Sequence, residues 1–73
     1  MTKEAIIHKA RAGVLRLECD YDRGFISALK RTIPPSERAW DPDSKCWLVT
    51  TDNLEILKEL CKDYFEYVAE RLD

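Results

Sequence analysis

Glycine, histidine and paired cysteine are all scarce in this chain, and each shortage removes a class of function. Only two glycines occur, and neither belongs to a G-x-x-x-x-G-K-[ST] loop, so no cradle for nucleotide phosphates is encoded. The one histidine, His8, stands apart from three widely spaced cysteines, Cys19, Cys46 and Cys61. No C-x-x-C pair is present, and no zinc site of ordinary spacing results. An odd number of scattered thiols predicts reduced cysteines in an intracellular protein, two of them serving as small core hydrophobes. The opening Met1-Thr2-Lys3-Glu4-Ala5-Ile6-Ile7-His8 lacks the apolar stretch of a secretory leader, and no later run is long enough to span a bilayer. The expectation is a soluble cytoplasmic chain with no membrane partner. No Ser/His/Asp constellation exists, and no nucleophile has an evident activating base. The chain therefore reads as a non-enzyme, with no catalytic residue, no metal and no cofactor.

What is present describes a small globular domain. Its 73 residues make one domain, residues 1–73, and a chain of that size buries only about 60% of its unfolded surface. Twelve Lys and Arg face fourteen Asp and Glu, a net charge of −2, so the chain as a whole is not drawn to a polyanion. Any nucleic-acid binding has to come from a local patch.

Alternation marks the first secure element. Leu15, Leu17 and Cys19 point one way and Arg16 and Glu18 the other, which predicts a half-buried strand over Val14–Cys19. The preceding Lys3–Arg11 suits either a short helix stopped at Gly13 or a strand paired with Val14–Cys19. Asp22 then offers a helix cap, and Phe25, Ile26, Leu29 and Ile33 recur at helical spacing, so Arg23–Thr32 reads as an amphipathic helix closed by Pro34-Pro35. Glu37–Trp40 and Lys45–Thr50 flank Asp41-Pro42-Asp43-Ser44, whose Asp and Pro are turn-forming residues, and together they predict a hairpin. Asp52 with Glu55 three positions on reads as a capping box opening a C-terminal helix from about Asn53 to Arg71. The expected fold is α+β: a small antiparallel sheet, order (β)β-α-ββ-α, with two helices packed on one face.

The most distinctive stretch is Arg38-Ala39-Trp40-Asp41-Pro42-Asp43-Ser44-Lys45-Cys46-Trp47. It resembles the pattern R-x-W/Y-D-P-x-x-K-x-W of the HARP domain, the accessory module of DNA-annealing helicases. The similarity runs from about Gly13 to Leu60: an alternating strand, Tyr21, the cap at Asp22, a helix with the Leu29-Lys30 pair, the hairpin and a final amphipathic helix follow in the same order. In that family a further strand usually precedes the first, which favours a strand at Lys3–Arg11. Two departures stand out. The helicase motor of the family is absent, and the link Thr32–Glu37 is longer and more acidic than the family pattern suggests.

The resemblance implies recognition of single-stranded or branched DNA in repair, recombination or replication, by a stand-alone HARP-like binder or one serving a helicase or other nucleic-acid enzyme. In this reading Arg38 and Lys45 contact phosphate beside the turn, and Lys30 and Arg31 extend the patch. Arg16 and Arg23 contribute from the neighbouring strand and loop. Trp40 stacks a base, since single strands are held by charge along the backbone and rings against bases. Core filling is the competing role for both tryptophans, more strongly for Trp47. A second reading is a protein-interaction module: Tyr64, Phe65 and Tyr67 exceed what one helical stripe needs and would dock the C-terminal helix onto a nucleic-acid enzyme, or onto a second copy as a homodimer.

Overall fold

A computed structural model of the chain describes residues 2–72. Its N-terminal segment is a strand. β1 (Glu4–Arg11) pairs antiparallel with β2 (Val14–Cys19), and the chain reverses at Ala12-Gly13, where Gly13 takes a φ of +79° that residues with a Cβ rarely adopt. The register sets Ile7 against Leu17 and Ala5 against Cys19, so the alternating apolar residues of both strands share one face.

α1 (Arg23–Thr32) begins at Asp22, whose Oδ1 accepts the Phe25 N–H at 2.8 Å. The other carboxylate oxygen accepts from Lys3 Nζ at 2.9 Å, which ties the start of β1 to the start of the helix. The Lys3 ammonium, together with the Phe25 N–H, holds the Asp22 carboxyl below its usual range. After the helix and a single tight turn at Pro35–Glu37 come β3 (Arg38–Asp41) and β4 (Cys46–Thr50), an antiparallel pair with Trp40 opposite Trp47. Asp41 Oδ1 accepts the Asp43 N–H at 3.1 Å, so the Asp-Pro turn closes on its own side chain.

The C-terminal third differs from the sequence expectation. α2 spans Leu54–Tyr64 and stops there, seven residues before Arg71, and Tyr67–Arg71 forms β5. β5 lies parallel to β1, so the sheet is mixed rather than purely antiparallel, with strand order β3-β4-β2-β1-β5. A parallel neighbour needs a crossover, and α2 supplies it between β4 and β5. No glycine or proline marks the stop. The helix ends because Phe65 turns extended and buries its ring against Phe25, while β5 satisfies the free edge of β1. The capping box does not form as expected either. Thr51–Asn53 is a tight turn, Asn53 occupies the cap position, and its amide donates to Glu37 Oε1 and Thr50 Oγ1, both at 2.8 Å.

Both helices lie over one face of the sheet. Phe25, Leu29, Leu57, Cys61 and Phe65 close over Ala5, Ile7, Leu15, Leu17 and Val49 to make the core. Among the described residues no helix is long and apolar enough to cross a membrane. Phe65→Ala should cost about 3–5 kcal/mol of folding stability, whereas Tyr67→Ser on the outer strand should stay within about 0.5 kcal/mol. Urea unfolding followed by circular dichroism measures both, and equal losses would contradict the placement of Phe65.

Candidate nucleic-acid interface

The residues singled out by the hairpin motif separate into three environments. Trp40 lies on β3, an edge strand, and is half exposed at 49%. Its ring meets Trp47 edge to face, with centroids 5.3 Å apart at 62°. Trp47 is buried beside Leu17 and belongs to the core face, so it braces the exposed ring from below. Together with Tyr21, Ile26 and Lys30 the two tryptophans line an open groove of about 340 Å³ between the start of α1 and the β3 edge. Ile26 and Lys30 are one helical turn apart and share a stripe that Arg23 continues toward the N-terminus. The groove thus has a half-exposed indole, a phenol ring exposed at 75% and an ammonium in its lining, with Arg23 exposed one turn outside it.

Arg38 does not join it. Its Nε donates to the Ile33 carbonyl at 2.8 Å and its Nη2 reaches the Lys30 carbonyl at 3.5 Å, so the guanidinium caps the last turn of α1. The cation that the motif suggests for phosphate is spent on holding the helix to β3, which in turn positions Lys30 beside Trp40. Arg16 lies on the opposite face of the sheet, where its Nη2 pairs with Glu18 at 3.3 Å. Arg31 is exposed one residue beyond Lys30, about 100° around the helix from the groove. Lys45 is exposed near the end of the β3–β4 turn, with a φ of 53°, and lies outside the groove lining.

The aromatic residues expected on one helical surface are likewise dispersed. Phe65 is 5% exposed and sits in the core. Tyr64 packs over Phe25, and Tyr67 stands on β5 beyond the helix. Of the groove residues, Tyr21 and Ile26 carried no site expectation, and Trp47 was expected chiefly in the core. Tyr21 carried a signal, a large aromatic directly before a helix cap, but only the return of the chain to β3 shows what it faces.

The three thiols are free, and burial governs them. Burial pushes Cys61 up to about 12 and Cys19 up to about 11, with Asp20 and Asp22 adding to the shift at Cys19. Burial also raises Cys46, with Asp41 contributing. They remain protonated at neutral pH, which makes them poor nucleophiles.

The fold and groove define a small α+β domain with an aromatic–cation groove on its helix-bearing side. Compared with known proteins, the chain matches no family model, no curated protein and no solved structure.

Two outcomes follow from this geometry. Arg38→Ala removes a charged donor from two helix carbonyls and should lower stability by about 1.5–3 kcal/mol, measured by denaturant unfolding. The thiols add a pH dependence. Unfolded cysteines lose protons near their ordinary value of 9.0, while folded Cys19 and Cys61 hold theirs to about 11 and 12. The unfolded state then binds fewer protons above pH 9, so this contribution to stability falls as pH rises from 9 toward 12. The urea midpoint should therefore drop more steeply over that range in the native sequence than in a Cys19→Ala/Cys61→Ala variant.

Proposed function

We propose that this chain is a cytoplasmic, non-catalytic DNA-binding module that takes single-stranded or branched DNA in its aromatic–cation groove. In this role it serves a repair, recombination or replication enzyme. The observation that carries the reading is the half-exposed Trp40 ring, fixed edge-on by Trp47 and standing beside Tyr21 and Lys30. A ring held in place by a buried partner loses little freedom when a base stacks on it, and a neighbouring ammonium suits the adjoining phosphate. The resemblance of Arg38–Trp47 to the HARP hairpin supports the same reading.

The geometry redistributes the roles. Trp40 and Tyr21 stack bases, and Lys30 and Arg23 follow the phosphates. Lys45 and Arg31 act at the periphery, and Arg38 positions the helix rather than touching DNA. The nearby carboxylates are partly engaged: Asp22 is paired with Lys3, Asp41 holds the turn, and Asp20 accepts the Glu4 N–H at 2.8 Å. The competing reading, docking of a protein through Tyr64, Phe65 and Tyr67, would rest on the exposed Tyr64 and Tyr67 alone, since Phe65 is buried.

Titration with single-stranded, duplex and forked oligonucleotides at two salt concentrations, followed by tryptophan fluorescence, tests the proposal. Binding should quench Trp40 and favour strands with unpaired bases. Trp40→Ala should weaken binding about tenfold or more, from a stacking contribution of about 1–3 kcal/mol. Lys30→Ala should reduce the salt slope by about 0.7 per lost phosphate contact. Absence of saturable binding at low salt would end this reading for the chain alone.

A further inference from the structure

Among the described residues no element covers the face of the sheet away from the helices, and its side chains are ordered by the pairing. One row crosses all five strands: Arg71, His8, Arg16, Leu48 and Ala39. The row above it runs through Ala69, Ile6 and Glu18 and continues to the paired Cys46 and Asp41. The guanidinium groups of Arg71 and Arg16, with the His8 imidazole between them, therefore occupy one row and carboxylates the next, with apolar side chains in both. Beyond them, Arg11 lies at the end next to the cationic row and Glu4 at the end next to the acidic one. The charge is graded along the strand direction, from basic to acidic.

We infer that this face is the self-association surface of the chain, two copies stacking sheet on sheet about a twofold axis that runs across the strands. Such an axis reverses the strand direction of the partner, so the basic row of each copy lies over the acidic row of the other. With the axis over Leu17, β2 crosses its own counterpart and Arg16 faces Glu18 of the second copy, twice by symmetry. Leu48, Ile6 and Ala69 fill the space between, at the ~10 Å separation of stacked sheets. Within one chain Glu18 already approaches His8 at 3.4 Å and Arg16 at 3.3 Å, and Arg16 Nε is buried without a hydrogen-bond partner. Arg16 nonetheless keeps 40% of its side chain exposed on this face, within reach of a second copy.

Size and charge favour a second copy over other occupants. Five strands at about 4.8 Å and five residues at about 3.3 Å give a flat footprint of about 400 Å² per copy. Side-chain relief brings the total near the ~1,000 Å² at which a specific interface begins, so the dimer should be weak and concentration-dependent. A polyanion lying on this face would meet Glu4, Glu18 and Asp41, whereas a second copy meets its own complement. The inference is independent of the DNA reading, because the groove lies on the other side of the sheet and stays open in the dimer.

Sedimentation equilibrium of the full chain, from low micromolar to about 500 µM, tests it. The native sequence should show reversible monomer–dimer exchange. Arg16→Glu alone and Glu18→Arg alone should each weaken dimerisation about tenfold or more, because each sets like charges face to face. An equimolar mixture of the two variants should restore the dimer, since both crossing pairs then become Glu opposite Arg. Restoration by mixing also demonstrates that both variants are folded, and Leu48→Asp should abolish the dimer in either background. A native chain that stays monomeric across the range overturns the inference. A dimer indifferent to both reversals overturns it too, as does a monomer whose oligonucleotide binding is lost on Arg16→Glu, which would give this face to nucleic acid.

Discussion

The edge-to-face contact of Phe25 and Phe65, ring centroids 5.0 Å apart, is where α1, the end of α2 and the approach to β5 meet. Each of those elements depends on it. Phe25 is the first buried residue of α1, and Asp22, which caps that helix through the Phe25 N–H, is held to β1 by Lys3. Phe65 is the first residue past α2, and its extended backbone turns the chain down onto the edge of β1. Tyr64 lies over the same site, close enough that a Cβ on Gly24 would sit 3.1 Å from its Cε1. A small side chain at that position is what lets the aromatic layer close.

Once β5 is in place, the sheet has five strands and two unlike surfaces. The helix side contains nearly all the buried apolar residues, and at its β3 margin a tryptophan stays half exposed beside α1. The reverse side contains the charged alternation partners of the same strands. Groove and graded sheet face are thus consequences of one packing decision. Two helices of ten and eleven residues cover the middle of a five-stranded sheet and leave its β3 margin and its back open.

Arg38 takes a structural position that its motif did not suggest. Arginine at that position faces the same side as Trp40, as its spacing requires. The exposed carbonyls at the end of α1 are nearer than any external phosphate, and a helix terminus that lacks donors is a strong acceptor for a guanidinium. The residue contributes to the groove by fixing Lys30 against β3. A lysine there would lose the planar fork that reaches Ile33 and Lys30 together.

Local chemistry by itself determined β2, α1 and the β3–β4 hairpin, because alternation, an Asp cap, helical spacing and an Asp-Pro turn each act within a few residues. It also favoured the core for Trp47, which the structure buries. The segment before Gly13 suited helix or strand equally until β2 offered a partner. The end of α2 was decided only by tertiary structure: Lys62 through Arg71 have adequate helix propensity, and no Gly or Pro interrupts them. Burying Phe65 against Phe25 and pairing the open edge of β1 outweigh the few tenths of a kcal/mol per residue that propensity contributes. The site followed the same division. The sequence showed which residues were aromatic and which were cationic. Long-range pairing alone decided that Lys30, Tyr21 and Trp40 share a groove, that Arg38 is spent on a helix end, and that Arg16 faces the other way.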